Sequence, residues 1–485
     1  MTEENNKIKI HFYGGVEEVT GSNYLVEVPG ERGSFKLLVD CGLFQGTKVS
    51  EEKNNEDFPY EPASIDALLV THAHLDHIGR IPKLIREGFN GKIYSTPPTK
   101  DFAKLMLIDS IGVLSKEAKR NGKAGPIYDE SDVEKAMTLW ETRNYRQPFA
   151  LGDIEIVFRD AGHILGSAMI EMKLMSSQSS GFEADQFASL TAGAGSKGHK
   201  KILFSGDLGN SPEPLLNPTE EISDADLMVI ESTYGERLHE DVSEADNKLE
   251  RMIEDVARTK GVLMIPAFSL ERTQRILYQI NNLVENGRIP RLPIYLDSPL
   301  SIKATAVYKN YLNLYNDEAR NSVLAGDDLF NFPGLVQTLQ TEDSKKISDS
   351  VSPKVIIAGA GMCNGGRILH HLKHYLPKEN SVLLLVSYQA AGSLGRQLQD
   401  GAKLVTIMGE KVAVGAKVEK IWGYSSHADL NGLLQFASKS ADTLKKVFVT
   451  HGELKSSSFF SQRLRDYMGI NAVIPKIGES FEIPL

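Results

Sequence analysis

The run His72-Ala73-His74-Leu75-Asp76-His77 constrains this chain more than any other stretch. Three imidazoles and a carboxylate fall within one turn, and that density of neutral nitrogen and anionic oxygen suits a borderline-soft divalent metal. Ahead of the run, Ala67-Leu68-Leu69-Val70 reads as a buried strand, and Ile78 to Phe89 behind it reads as an amphipathic helix. The cluster therefore occupies a strand-to-helix turn, a place where catalytic groups are often presented. With 12 His in 485 residues, a chance pair at i, i+2 is unremarkable, whereas three with an Asp in one turn are not.

This H-x-H-x-D-H pattern resembles the second motif of the metallo-β-lactamase fold. In that fold the first two His bind one metal and the Asp-His pair binds a second, with the ions about 3.5–4 Å apart. One turn cannot complete two metal shells, so other segments must contribute. His163 follows the strand pattern Ile154 to Phe158, Asp207 follows Lys201 to Phe204, and His451 follows Lys446 to Thr450. Asp40 ends Leu37-Leu38-Val39. Each is a polar residue at a hydrophobic strand end beside Gly, where backbone and ligand can approach closely. Taken singly, each reads equally well as a turn or cap. Their order and contexts match the metallo-β-lactamase motif series.

Composition sets outer limits. At 485 residues the chain suggests more than one domain. Cys41 and Cys363 are the only cysteines, so neither a disulfide framework nor a cysteine zinc site is expected. The polar N-terminus lacks a signal core, and no apolar run approaches the ~18 residues of a membrane helix. A cytoplasmic protein without membrane contact is the expectation. The net charge of −10 argues against broad coating of nucleic acid but leaves a local phosphate site open.

Organisation changes along the chain. The first part holds short strands punctuated by Gly and Asp, with a Gly/Ser/Ala-rich stretch at 176–198 that reads as a surface loop. From about 225 to 420 strands and helices alternate, which predicts a parallel, helix-covered sheet. Within it, Glu244 to Thr259 reads as a helix capped by Ser243, and Leu270 to Glu285 as another. His451 completes a ligand set begun at His72, so the middle segment is expected to be an insertion. The reading divides the chain into 1–215, an inserted 216–423, and 424–485.

That arrangement resembles the β-CASP family of nucleases, over nearly the whole chain. Glu231-Ser232-Thr233-Tyr234-Gly235 is similar to the family's acidic motif A. Tyr424-Ser425-Ser426-His427-Ala428-Asp429 is similar to motif B, and Thr450-His451-Gly452-Glu453 to motif C. Pro266 to Ser269, Asp297 to Leu300 and Gly361 to Arg367 are also family-like. Within the family, the chain resembles the nuclease subunit of the cleavage and polyadenylation factor and its prokaryotic relatives. One stretch departs. The family's Ser-Ser-Gly-Met reads Gly359-Ala360-Gly361-Met362, without a hydroxyl to help hold phosphate. No KH domain precedes residue 8 and no dimerisation domain of the ribonuclease J kind follows residue 485, so processive 5′-exonuclease action and sequence preference are not expected.

The resemblance implies a metallo-β-lactamase αββα sandwich with an inserted β-CASP domain, two zinc ions, and single-stranded RNA as partner, with a homodimer left open. It implies that His72, His74, His163 and Asp207 hold one zinc, and Asp76, His77, Asp207 and His451 the other. The pair would activate water for attack on phosphorus, with Asp40 orienting a ligand from behind. His427 is the candidate general acid, kept protonated by Glu231. Ser426 is a candidate phosphate contact. Arg367 either meets backbone phosphate or pairs with an acid. His370, His371 and His374 read as structural or surface residues. The favoured function is a zinc-dependent ribonuclease, endonucleolytic with exonuclease action open. A hydrolase of small esters or thioesters and a non-catalytic RNA-binding subunit are the alternatives.

Overall fold

The computed structural model describes residues 7–30, 33–46, 52–175, 199–390 and 392–484. The expected loop at 176–198 lies outside these residues. Two seven-stranded sheets stack face to face. Alternation builds the layer between them. Strand Lys7–Gly14 turns Ile8, Ile10 and Phe12 inward, where they join Val26, Ile156, Phe204, Val229 and Phe448 in one apolar layer. Helices Ile81–Arg86, Pro97–Arg120 and Glu130–Leu139 cover the outside of the first sheet. Helices Leu430–Ser438 and Leu454–Met468 cover the outside of the second. The result is the expected αββα sandwich.

A third sheet of six strands is parallel throughout. Helices Val242–Thr259 and Arg272–Glu285 pack on one face, and Ile368–Tyr375 and Leu394–Gln399 on the other. Its central strands Val262–Pro266, Lys354–Ala358 and Val382–Leu385 are buried on both faces, which is why they read as apolar runs. One continuous apolar cluster runs from Leu68 and Ile78 of the sandwich through Leu215 and Leu216 to Leu263 and Ile276 of the insertion.

Several sequence expectations need correction. Strand Leu227–Glu231 belongs to the sandwich, paired in parallel with His199–Phe204 on one side and Lys446–Thr450 on the other. The expected division at 216 therefore falls too early, because the apolar run Leu227 to Ile230 of this buried strand looks the same in either parallel setting. The helix expected from Ile78 to Phe89 is broken into Leu75–Ile78 and Ile81–Arg86. Pro82 lies in the first turn of the second piece, and Arg80 between the pieces turns away to donate to the Gly42 carbonyl. Asp241, not Ser243, caps the helix Val242–Thr259, accepting from the Ser243 amide at 2.8 Å. The helix expected from Leu270 begins at Arg272, because Glu271 adopts a φ of 62°.

Candidate active site

Strand ends gather the site. Leu69 pairs with Val39, and Glu231 with Thr450, so Asp40, His72 and His451 emerge at corresponding strand ends. Asp207 follows Phe204 of the second sheet, and His163 follows its strand Ile154–Asp160. Gly42 lets the segment after Asp40 pass directly against the ligand turn. A Cβ there would lie 1.6 Å from the Asp76 carbonyl oxygen.

The expected ligands fall into two groups that share Asp207. In the first, His72 Nε2 lies 3.0 Å from His74 Nδ1, and His163 Nε2 lies 3.3 Å from that same atom. Asp207 Oδ2 is 3.4 Å from His72 Nε2 and 3.6 Å from His163 Nε2. In the second, Asp207 Oδ1 is 3.4 Å from His77 Nε2 and 3.6 Å from His451 Nε2. Asp76 Oδ2 lies 3.9 Å from His77 Nε2 and 3.7 Å from His451 Nε2. A tetrahedral shell with bonds of about 2.0–2.1 Å has donors about 3.3 Å apart, so both groups have metal-ligand spacing. His77 Nε2 and Asp207 Oδ1 are buried without a hydrogen-bond partner, a costly state that a cation between them relieves.

Neighbours aim four of the five rings. Asp40 accepts from the Thr71 amide, the Thr71 hydroxyl and His77 Nδ1, each at 2.8 Å. The Thr71 hydroxyl, having donated to Asp40, accepts from His72 Nδ1 at 3.1 Å. Ser22 Oγ meets His451 Nδ1 at 2.9 Å, and the Ser426 carbonyl accepts from His163 Nδ1 at 3.1 Å. These contacts leave the Nε2 lone pairs pointing at the ligand groups. Burial holds His72 and His163 well below their ordinary pKa and His74 at about 4, so all three are neutral donors. Burial acts against charge on His77 too, but Asp207 and Asp40 outweigh it and raise that pKa. Burial would raise Asp207, yet His451, His77 and His72 keep its carboxylate ionised. Asp40→Asn is expected to weaken metal affinity by about 10- to 100-fold, read by chelator competition. Unchanged affinity would remove Asp40 from this role.

His427 stands beside the first group, its ring centroid 4.5 Å from that of His163. Both Glu231 oxygens lie 3.2 Å from His427 Nδ1. Glu231 is itself fixed by the Leu208 amide at 2.7 Å and the Thr233 amide at 3.3 Å. Burial lowers the His427 pKa, but the Glu231 charge and hydrogen bond outweigh it and lift the value to about 9. With Nδ1 engaged, Nε2 is the atom left for a substrate oxygen.

The two candidate substrate contacts are placed differently. Arg367 is committed inside the insertion. It donates to Asp297 at 2.7 Å and to the Thr338 and Leu339 carbonyls at 2.7 and 2.8 Å. His371 meets the other Asp297 oxygen at 2.7 Å. Its neighbour His374 packs on Tyr375. The acid-pairing alternative thus describes where Arg367 sits. Burial pushes the Asp297 pKa up, but His371, Thr338, Ser344 and Arg367 outweigh it and hold the value at about 2. Because that value lies below the unfolded one of about 3.9, its stabilisation is complete above the unfolded pKa and fades as pH falls toward 2. Asp297→Asn is expected to cost about 3–5 kcal/mol, seen as a lower denaturant midpoint at neutral pH. The Ser426 carbonyl accepts from His163 Nδ1, which makes Ser426 a support for a ligand, with buried Glu271 close by.

Sequence reading missed Thr71, Ser22 and Glu271. Thr71 carried a signal, a hydroxyl at the strand end directly before His72. Ser22 and Glu271 carried none, since only tertiary packing brings them to His451 and Ser426.

Three family descriptions match in chain order. They are the metallo-beta-lactamase superfamily over residues 16–139, the Beta-Casp domain over 273–398, and the Zn-dependent metallo-hydrolase RNA specificity domain over 411–475. Ribonuclease TTHA0252 of Thermus thermophilus is 35% identical over 446 residues, covering 91% of this chain and 92% of that protein. The chain belongs to the β-CASP family of the metallo-β-lactamase fold. An RNase J-like protein of Methanocaldococcus jannaschii is 32% identical, covering 97% of this chain and 99% of its own. Transcription termination factor FttA of Methanosarcina mazei is 28% identical, covering 94% of this chain and 68% of its own. A solved structure from Enterococcus faecalis V583, described as a protein of unknown function, aligns with a TM-score of 0.52 at 12% identity. It covers 98% of this chain and 100% of that one, and it speaks to the fold alone. As a β-CASP protein with this ligand set, the chain is a metal-dependent hydrolase that binds divalent metal. Among the described residues no helix is long and apolar enough to cross a membrane.

Proposed function

We propose that this β-CASP protein is a zinc-dependent ribonuclease that hydrolyses phosphodiester bonds of single-stranded RNA. The observation that carries the reading is His427, with Glu231 3.2 Å from its Nδ1, beside two groups of donors that share Asp207. Two zinc ions suit the nitrogen-rich donors, and when bound they supply Lewis-acid activation of water and of the phosphoryl oxygen. The protein supplies the rest. A phosphodiester leaves as an alkoxide, which departs poorly without a proton. His427 Nε2 donates that proton, and the Glu231 carboxylate stabilises the imidazolium beforehand. A thioester hydrolase has no such need, because a thiolate leaves readily, so the acid disfavours that reading.

The RNA assignment draws on relatives named as ribonucleases and on the matched RNA specificity domain. The buried, unpaired Cys41 and Cys363 suit a reducing cytoplasm. A homodimer is left as a further proposal for measurement by sedimentation. The deciding experiment incubates purified protein with internally labelled, end-blocked single-stranded RNA, with and without chelator. Chelator-sensitive cleavage to 5′-phosphate products is expected, restored by zinc. Intact RNA together with thioester turnover would overturn the reading.

A further inference from the structure

We propose that Phe268 is a stacking platform for an unpaired nucleobase of the substrate, beside the metal centre. The proposal rests on the ribonuclease reading above. Strands Val262–Pro266, Lys354–Ala358 and Val382–Leu385 are parallel neighbours, so the segments that follow them share one edge of the insertion. Ligands of parallel sheets settle at this carboxyl edge.

Two contacts turn that edge toward the catalytic groups. Tyr388, just beyond Leu385, donates to Glu453 Oε1 at 2.6 Å, and Glu453 lies two residues past His451. Buried Glu271 lies close to Ser426 and His427. The ring of Phe268 packs against Gly361, whose carbonyl accepts from Gln389, the residue after Tyr388. Phe268 follows Pro266 by two residues, precedes Glu271 by three, and its strand adjoins the one leading to Tyr388. Neighbouring strands lie about 4.8 Å apart, so the segments that carry the two aromatic residues leave the sheet side by side.

Phe268 is 37% exposed, and it is the only exposed Phe among the described residues. A lone exposed apolar side chain is ordinary on a protein surface. This one is fixed in place. A Cβ on Gly361 would lie 3.0–3.1 Å from three ring carbons, so that loop backs the ring closely. The Thr273 hydroxyl donates to the Phe268 carbonyl at 2.7 Å, and Gln274 donates to the Ser269 carbonyl at 3.2 Å. A ring held this way loses little freedom when a base covers it. Every base has a π face, so the platform grips single strands without reading sequence.

The test compares the zinc-loaded protein with its Phe268→Ala and Phe268→Trp variants. Two quantities are read: KM for a single-stranded oligoribonucleotide, and Ki of a fully abasic oligoribonucleotide of equal length as competitor. Phe268→Ala should raise KM about tenfold or more, with kcat and the abasic Ki close to those of the unaltered protein. Phe268→Trp should retain a low KM. An unchanged KM, or equal weakening toward both strands, overturns the platform. Failure of the unaltered protein to cut RNA is a separate result and strikes the ribonuclease reading instead.

Discussion

Replacing Asp207 with Asn is expected to empty both metal sites and to lower RNA cleavage by about 10³-fold or more. Asp207 is the one residue in both ligand groups, with Oδ2 turned to His72 and His163 and Oδ1 to His77 and His451. Asn offers one neutral oxygen, and its NH2 group presents hydrogens to whichever cation it faces. Losing several kcal/mol of charge stabilisation corresponds to that rate, at tenfold per 1.36 kcal/mol. Elemental analysis should show both ions gone. An Asp207→Asn variant that keeps two metals per chain would end the bridging assignment.

His427→Ala should behave differently. Its kcat is expected to fall by about 10²- to 10⁴-fold, the usual contribution of a positioned acid. Metal content should hold, because His427 belongs neither to the His72, His74, His163 and Asp207 cluster nor to the Asp76, His77 and His451 cluster. It clusters with Asp207 together with Glu231, which its Nδ1 already engages. The leaving group discriminates further. A p-nitrophenyl phosphodiester expels an anion that needs no proton, so the deficit should shrink on that substrate. A deficit of the same size on both substrates, or loss of zinc, would take the acid role from His427.

The ligand run is legible in the sequence because one turn supplies four donors, so no long-range information is required. His163, Asp207 and His451 are legible more weakly, as polar residues ending apolar strands. Their convergence is a tertiary fact. So is the division of labour between the two Asp207 oxygens, which no spacing encodes. Arg367 shows the opposite limit. Its type suits phosphate and carboxylate equally, and only the position of Asp297 decides between them. The strand Leu227–Glu231 shows a third. Apolar parallel strands of a sandwich and of an insertion share one composition, so the sequence contains no mark of which sheet receives it.

That strand has a consequence for the order in which the molecule is made. Its two flanks are His199–Phe204, already synthesised, and Lys446–Thr450, which is translated only after the whole insertion. A growing chain can assemble most of the first sheet, the His72 turn and the inserted sheet while one side of Leu227–Glu231 waits for its partner. His451 arrives one residue after that partner strand ends. The second ligand group therefore comes into being only after the whole insertion has been translated. Until then the Asp76 and His77 donors stand without their third partner, however well the His72 turn has formed.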